Sequence, residues 1–188
     1  MYIDDHNNYL PCSNGGNSWD DKLGVMDYDG RGLPESAYNV INAGNPKLYQ
    51  CPATKHELNR SNTRYLRSYA MNWGKSHGPN RWRGVISNWQ DGWSMKINEI
   101  NDPGNSIMLM EYHKSDNDLS TGNNSVANNM ANINSINDNL RWPHEFHKSN
   151  YALVDGSVRF ISLQSTYYGL RDATSNDNQL NTMWDCQD

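Results

Sequence analysis

The sequence lacks any long apolar run, and this absence limits what it can encode. No stretch approaches the roughly 18–20 apolar residues that a membrane-spanning helix needs. Only 36% of the 188 residues are hydrophobic, and the mean hydropathy of −0.93 is low for a globular chain. We therefore expect a small core under a wide polar surface.

An excess of positive charge is also lacking. The formal net charge is −5 and the isoelectric point is about 5.6. A nucleic-acid-binding protein needs a basic face that neutralises phosphates. We therefore expect no nucleic-acid partner.

Cysteine is scarce, and the three cysteines are far apart. Cys12, Cys51 and Cys186 include no Cys-x-x-Cys pair, so the sequence supports neither a zinc ribbon nor a redox motif. Two interpretations stay open, which are one disulfide with a spare thiol, or three buried thiols.

Two motifs of hydrolytic enzymes are missing. The sequence has no Gly-x-Ser-x-Gly nucleophile elbow and no His-Glu-x-x-His zinc motif. His144-Glu-Phe-His147 has the wrong spacing for two ligands one helical turn apart. Glycoside hydrolysis uses a pair of carboxylates. Glu111, at a strand end, is the only residue that we name as a candidate member of such a pair. We predict that the protein is not an enzyme.

Aromatic residues and amides are abundant instead. The sequence has 7 Trp and 11 Tyr, whereas chains that cannot fold are poor in aromatic residues. It has 28 Asn, while Lys, Arg, Asp and Glu together make up only 20%. We expect one folded domain over residues 1–188 with an aromatic-rich core.

The strongest local signal is Asp155-Gly156, which lies between two apolar runs in Asn150–Ile161. Asp-Gly in this context predicts a β-hairpin with a type I′ turn, in which both central residues have positive φ. Ser106–Tyr112 is the longest apolar run and predicts a central strand buried on both faces. A further strand is expected to begin at Ser68.

The helical signals are short. Met1–Leu10, closed by Pro11, is typical of the last turns of a helix whose earlier part lies upstream. A short helix or a turn is predicted at Trp19–Val25, further helices at Glu35–Ala43 and 125–136, and an extended piece at Lys47–Pro52. With four or five strands, these elements predict an α+β fold with an antiparallel sheet.

Five segments form an ordered set along the chain. They are Met1–Pro11, Leu48–Ala53 with its Cys-Pro, Arg67–Asn72 with Ser-Tyr-x-Met-Asn, Ser106–Glu111 and Asn150–Phe160. In this order they resemble the soluble part of bacterial prepilin-like proteins related to type II secretion pseudopilins.

The resemblance is narrower to a subfamily with a C-terminal motif of His, a spacer of about nine residues, and Asp-Gly. Here the spacer before Asp155-Gly156 is ten residues from His144 and seven residues from His147. Neither histidine therefore matches the subfamily spacing, and His144 is the nearer match.

The resemblance implies a pilin-like fold, in which an N-terminal helix packs on an antiparallel sheet. The upstream half of that helix would lie in the inner membrane before assembly and contact other pilin-like subunits afterwards. The implied function is a structural, non-catalytic subunit of a type II secretion or type IV pilus-like assembly. Its implied location is the cell envelope or the cell exterior, and no cofactor is implied.

Trp82, Trp89 and Trp93 support a second interpretation of function. They lie among amide side chains in an irregular stretch, a composition that suits a sugar-stacking surface. The alternative function is therefore a secreted carbohydrate-binding module that uses exposed Trp residues to bind glycans. The competing interpretation is that these indoles fill the core or a subunit contact, and burial distinguishes the two.

Asp27 and Asp29 beside Gly30 resemble half of a calcium-binding loop. The Glu that closes such a loop is absent, so a solvated turn is the preferred interpretation. The Asn/Asp-rich loops at Asp116 and Asp177 are further calcium candidates, without a matching ligand set.

His144, His147 and Asp155 are the candidates for a metal or catalytic cluster built from the hairpin motif. Five strand residues at about 3.3 Å each put roughly 16 Å between the open end of the hairpin and its turn. That is too far for one coordination sphere. The preferred interpretation is that Asp155 and Gly156 serve the turn, while a His bonds the backbone near the open end.

Overall fold

A computed structural model of the chain describes residues 2–12, 18–34, 46–53, 65–75, 82–86, 93–113, 117, 119, 126–127, 144, 148–168 and 182–186. Helices in this part are α1 (Tyr2–Asp5), α2 (Trp19–Val25) and α3 (Leu163–Thr166), with 3-10 helices at Pro46–Tyr49 and Ile97–Glu99. Its strands are β1 (Tyr69–Asn72), β2 (Gly74–Lys75), β3 (Trp82–Arg83), β4 (Ile107–Glu111), β5 (Val126–Ala127), β6 (Lys148–Leu153) and β7 (Val158–Ser162).

Five of these strands form one sheet in the order β5-β1-β4-β6-β7. The pairs β1–β4, β4–β6 and β6–β7 are antiparallel, and β5 pairs with β1 in parallel. The expectation of an α+β fold with an antiparallel sheet is thus confirmed for four strands. The relationship of this fold to pilins and type II secretion pseudopilins stays a prediction.

Two local predictions are wrong within the described residues. The helix predicted at 125–136 is a strand at Val126–Ala127, where Met71 pairs with Val126; the other residues of that range lie outside the described residues. The extended piece predicted at Lys47–Pro52 begins as the 3-10 helix Pro46–Tyr49. Non-local pairing in the first case overrides a weak helical pattern, since propensity is only a prior.

β4 is the central strand of the five-stranded sheet, with two strands on each side of it. Ile107 is fully buried and Met110 is 1% exposed, as expected for a central strand, although Met108 and Leu109 are half-buried. A register shift interrupts the β4–β6 ladder between Ile107 and Leu109. The prediction of a central strand over Ser106–Tyr112 is therefore confirmed, with less burial on one face.

Two hydrophobic clusters flank the sheet. One joins the strands to the C-terminal segments, and its members are Ala70, Ile107, Met110, Tyr112, Tyr151, Leu153, Leu163, Tyr167, Met183 and Trp184. The other joins them to the N-terminal half, and its members are Leu10, Trp19, Tyr49, Met71, Val85, Ile86, Ile100, Leu119, Val154 and Cys186. Successive strand residues point to opposite faces, so Ala70 and Met71 belong to different clusters and the sheet lies between the two layers.

The hairpin of β6 and β7 forms at the predicted place with a different turn. Gly156 has φ of 86°, but Asp155 is not among the residues with positive φ, so the turn is not type I′. The Gly156 N–H donates to the Leu153 carbonyl at 3.0 Å, and the Leu153 N–H donates to the Ser157 carbonyl at 2.8 Å. This is a three-residue loop, in which a turn over Val154 and Asp155 is followed by a left-handed glycine.

The N-terminal segment is helical at α1 and then turns. Ile3 packs against the second hydrophobic cluster, while Asn7 and Asn8 have φ of 52° and 68°. Asn tolerates this left-handed region better than most residues. None of the helices among the described residues has the length and apolar character required to span a membrane. The helix predicted at Glu35–Ala43 lies outside the described residues.

A buried ionic network ties α2 to the sheet. Asp20 of α2 forms an ion pair with Arg67, and both side chains are inaccessible to solvent. Arg67 Nε and Nη2 donate to Asn117 Oδ1 at 3.2 and 2.9 Å. The Asn117 amide in turn donates to the carbonyls of Arg67 at 2.7 Å and of Tyr112 at 3.0 Å. The charge of Arg67 is therefore compensated, and its guanidinium links two layers.

We expect Arg67→Ala to lower the free energy of unfolding by about 3 kcal/mol, because it removes the nearer cation of the buried Asp20 carboxylate and leaves only Arg31 Nη1 at 3.8 Å. Chemical denaturation followed by tryptophan fluorescence measures the change. Glu99→Ala is the control, since it removes the exposed partner of Lys96 and should cost less than about 1 kcal/mol. Equal effects of the two substitutions would contradict a network that links the layers.

Candidate functional site

Glu111, the last residue of β4, places a carboxylate at the end of the central strand. Its side chain is 2% exposed. Its Oε2 accepts from the Asn150 N–H at 2.9 Å and from Ser149 Oγ at 2.9 Å, and its Oε1 accepts from Asn150 Nδ2 at 3.0 Å. The neighbouring strand β6 thus holds this carboxylate in one orientation.

Two further ligand-type side chains meet Glu111. His113 lies two residues beyond it and is 5% exposed, and Cys51 follows the first 3-10 helix and is 3% exposed. One ligand atom from each of Cys51, Glu111 and His113 lies within 4.8 Å of the others. The end of the central strand and a loop from the N-terminal half therefore converge here.

His144 completes the group from the segment that precedes β6. Its Nε2 lies 2.9 Å from Glu111 Oε1 and 3.2 Å from Cys51 Sγ. Its side chain is 30% exposed, and its ring meets Phe160 edge-on at 6.2 Å between centroids. We refer to Cys51, Glu111, His113 and His144 as the Cys/His/Glu cluster.

Burial and hydrogen bonding set the ionisation of this cluster. Burial favours the neutral form of Glu111, but the hydrogen bonds from Asn150, Ser149 and His144 outweigh it and lower the pKa of the carboxyl. Burial lowers the pKa of His113 to about 4, with His144 adding to the effect and Glu111 opposing it. At neutral pH the cluster therefore contains a carboxylate and a neutral His113 imidazole.

Tyr69 lies across the ladder from Glu111 and responds to the same charges. Burial, followed by the proximity of Cys51 and Glu111, raises the pKa of Tyr69 to about 12. Its phenol is neutral under physiological conditions, so it adds no negative charge to the cluster.

The geometry favours metal ligation over nucleophilic catalysis. In a Cys–His nucleophile pair, a third group orients the imidazole through the ring nitrogen that faces away from the thiol. Here Cys51 Sγ and Glu111 Oε1 both approach the same nitrogen, Nε2 of His144. The thiol and the carboxylate thus share one partner atom, an arrangement unlike that of a nucleophile with its base and orienting group, and the thiol is 3% exposed.

The histidine and the aspartate of the hairpin motif have different partners. His144 contacts Glu111 and Cys51, whereas Asp155 Oδ1 accepts from the Ser157 N–H at 2.8 Å and from Ser157 Oγ at 2.7 Å. Gly156 supplies the positive φ that follows the turn. The backbone partner expected for His144 is replaced by side-chain partners, and His147 lies outside the described residues.

The tryptophans proposed to stack on sugars are described only in part. Trp93 is half-buried. Trp82 begins β3, while its side chain and the whole of Trp89 lie outside the described residues. The carbohydrate-binding interpretation stays a prediction.

The proposed calcium loop has contacts within its own turn. Asp27 Oδ1 accepts from the Gly32 N–H at 2.8 Å. Asp29 accepts from the Arg31 N–H at 3.0 Å and forms an ion pair with Arg31 Nε at 2.6 Å. The guanidinium neutralises the carboxylate of Asp29 that a calcium ion would need. Asp116 and Asp177 lie outside the described residues.

Sequence reasoning missed Cys51 and His113 as site residues and considered Glu111 only for another chemistry. The available signal was the polar run Glu111-Tyr-His113 directly after the most apolar strand, since residues 111 and 113 alternate to the same side. Cys51 carried no local signal, because its partner His144 is 93 residues away.

Comparison of the chain with protein-family models, with curated proteins and with solved structures finds no match in any of the three. The resemblance to prepilin-like proteins therefore rests on the residues quoted for it.

The three cysteines lie within the described residues as thiols, so the interpretation with one disulfide is wrong. The interpretation with three buried thiols holds for Cys51 and Cys186 but not for Cys12. We expect iodoacetamide to modify the native protein first at Cys12, which is partly exposed. Cys186 should react last, because it is 1% exposed and burial raises the pKa of its thiol to about 12, while the thiolate is the reactive form.

Peptide mass spectrometry after timed alkylation measures this order, and a sample in denaturant shows that all three thiols can react. Rapid modification of Cys186 in the native protein, or a disulfide under non-reducing conditions, would be inconsistent with this arrangement.

Proposed function

We propose that the chain is a structural, non-catalytic subunit of a pilin-like assembly of the type II secretion or type IV pilus class. The observation that carries the proposal is a short helix at the start of the described chain, α1, which packs through Ile3 on a hydrophobic cluster that strand residues share. Ile3 of α1 contacts the hydrophobic cluster that contains Met71 of β1, and Leu109 of β4 packs on the same cluster. A helix followed by an antiparallel sheet is the order of elements that the resemblance implies.

The edge of the sheet supports a role in assembly. β7 is the last strand of the described sheet, and its apolar residues Val158 and Phe160 are 63% and 44% exposed. Native proteins usually protect strand edges from other chains. An accessible edge with apolar side chains offers a contact surface for neighbouring subunits, in addition to the N-terminal helix.

The non-catalytic part of the proposal has its own support. Both carboxylate oxygens of Glu111 are held by hydrogen bonds within the protein, from Ser149 and Asn150, with His144 Nε2 also 2.9 Å from Oε1. Its side chain is 2% exposed, so it is not presented to a substrate. Cys51, whose thiol lies beside His144 in the part of the chain that the structure describes, is buried. These contacts suit a supporting role.

We predict that the protein, detected by antibody in its source cells, co-purifies with sheared surface filaments or with envelope pseudopilus complexes. Loss of the prepilin peptidase should leave it unprocessed and remove it from that fraction, because assembly follows processing in this class. A freely secreted monomer that is unaffected by the peptidase would refute the proposal.

A variant pair sharpens this experiment. Val158→Asp introduces a charge at the exposed strand edge and is expected to reduce incorporation into the assembly without a large loss of stability. Met26→Asp is the matched control, since Met26 is also exposed, at 52%, and lies in the turn after α2. Equal incorporation of both variants would assign subunit contact to the helix alone.

A further inference from the structure

We propose that Cys51, Glu111, His113 and His144 bind a single transition-metal ion, with Zn²⁺ as the expected metal. The site goes beyond the proposed assembly function and does not depend on it. One thiol, one carboxylate and two imidazoles are the ligand types that zinc takes in proteins.

The distances within the cluster suit such an ion. Tetrahedral zinc with bonds of about 2.0–2.3 Å separates its ligand atoms by roughly 3.3–3.6 Å. Nε2 of His144 lies 2.9 Å from Glu111 Oε1 and 3.2 Å from Cys51 Sγ. The ligand atoms of Cys51, Glu111 and His113 lie within 4.8 Å of one another. To bind the ion, His144 Nε2 and Glu111 Oε1 would move apart by about 0.4 Å, and the ligand atoms of Cys51, Glu111 and His113 would draw together by up to about 1.2 Å.

The residues that would orient the carboxylate ligand are already in place. Metal-binding carboxylates are usually oriented by hydrogen bonds from neighbouring residues. Ser149 Oγ and the Asn150 N–H donate to Oε2 of Glu111, while Asn150 Nδ2 donates to Oε1, the oxygen that also faces His144. The backbone and side chains of β6 thus fix the ligand before any ion is bound.

The burial of the ligands and their number indicate a structural metal site. Cys51, Glu111 and His113 are buried, while the His144 side chain is 30% exposed. Four protein ligands make a closed site of the structural kind, without an open position for substrate. His144, at the surface, gives the ion a route into the site.

The ligand set also selects the metal. Thiolate and imidazole are soft or borderline ligands that suit zinc or cobalt, whereas calcium and magnesium prefer oxygen ligands. The bound ion would join the loop at Cys51, the end of β4 and the segment before β6. It would thereby tie together three segments that are distant in sequence.

The test begins with the full chain, freed of metal by chelation and then titrated with Co²⁺ alone. We expect one Co²⁺ per chain, with the absorption spectrum of a tetrahedral thiolate complex, and displacement of Co²⁺ by Zn²⁺. Cys51→Ser should abolish the thiolate band. His144→Gln should weaken metal binding by at least about 100-fold, which is more than the usual effect of losing a residue that only hydrogen-bonds a ligand. Zn²⁺ should also raise the melting temperature of the wild-type chain.

Matched controls use the same residue types away from the cluster. Cys12→Ser and His6→Gln should leave stoichiometry and affinity unchanged. His144→Gln keeps a hydrogen-bonding side chain at a partly exposed position, so it decides the outcome even if Cys51→Ser fails to fold. Absence of stoichiometric binding by the wild-type chain, or equal binding by wild type and His144→Gln, would overturn the proposal.

Discussion

The constraint on which the site and its surroundings depend is the buried negative charge of Glu111 at the end of the central strand. A carboxylate cannot be buried cheaply unless hydrogen bonds and positive partners compensate it. Asn150 and Ser149 supply neutral donors from β6, and His144 supplies a ring nitrogen at 2.9 Å. Because β6 must present these donors, the register of β4 on β6 is coupled to the position of this charge.

The same principle of compensated charge links the N-terminal half to the sheet. Arg67 lies just before β1, and its ion pair with Asp20 anchors α2, while Asn117 fixes the Arg67 side chain and backbone together. A chain in which only 36% of residues are hydrophobic has limited apolar area to bury. Buried polar networks that are fully bonded then give the layers their specific arrangement.

Elements that depend on residues close in sequence could be predicted, whereas elements that depend on contacts between distant segments could not. Trp19–Val25, for which the sequence predicts a short helix or a turn, is helical, since Ser18 lies at the N-cap and the Ser18 N–H donates to Asp21 at 3.0 Å. The hairpin was expected from Asp155-Gly156, but the loop has one more residue than a type I′ turn. β5 exists only because Val126 meets Met71. The Cys/His/Glu cluster joins residues 93 positions apart, and no spacing rule within one segment reports such a contact.

The central claim is that the Cys/His/Glu cluster is one coordination sphere. X-ray absorption at the zinc edge of the zinc-loaded chain tests it most directly, because the method counts sulfur and light ligands separately. The account predicts one sulfur at about 2.3 Å and three nitrogen or oxygen ligands at about 2.0–2.2 Å. A shell of oxygen and nitrogen alone, with no sulfur, would contradict the account by showing that zinc binds elsewhere.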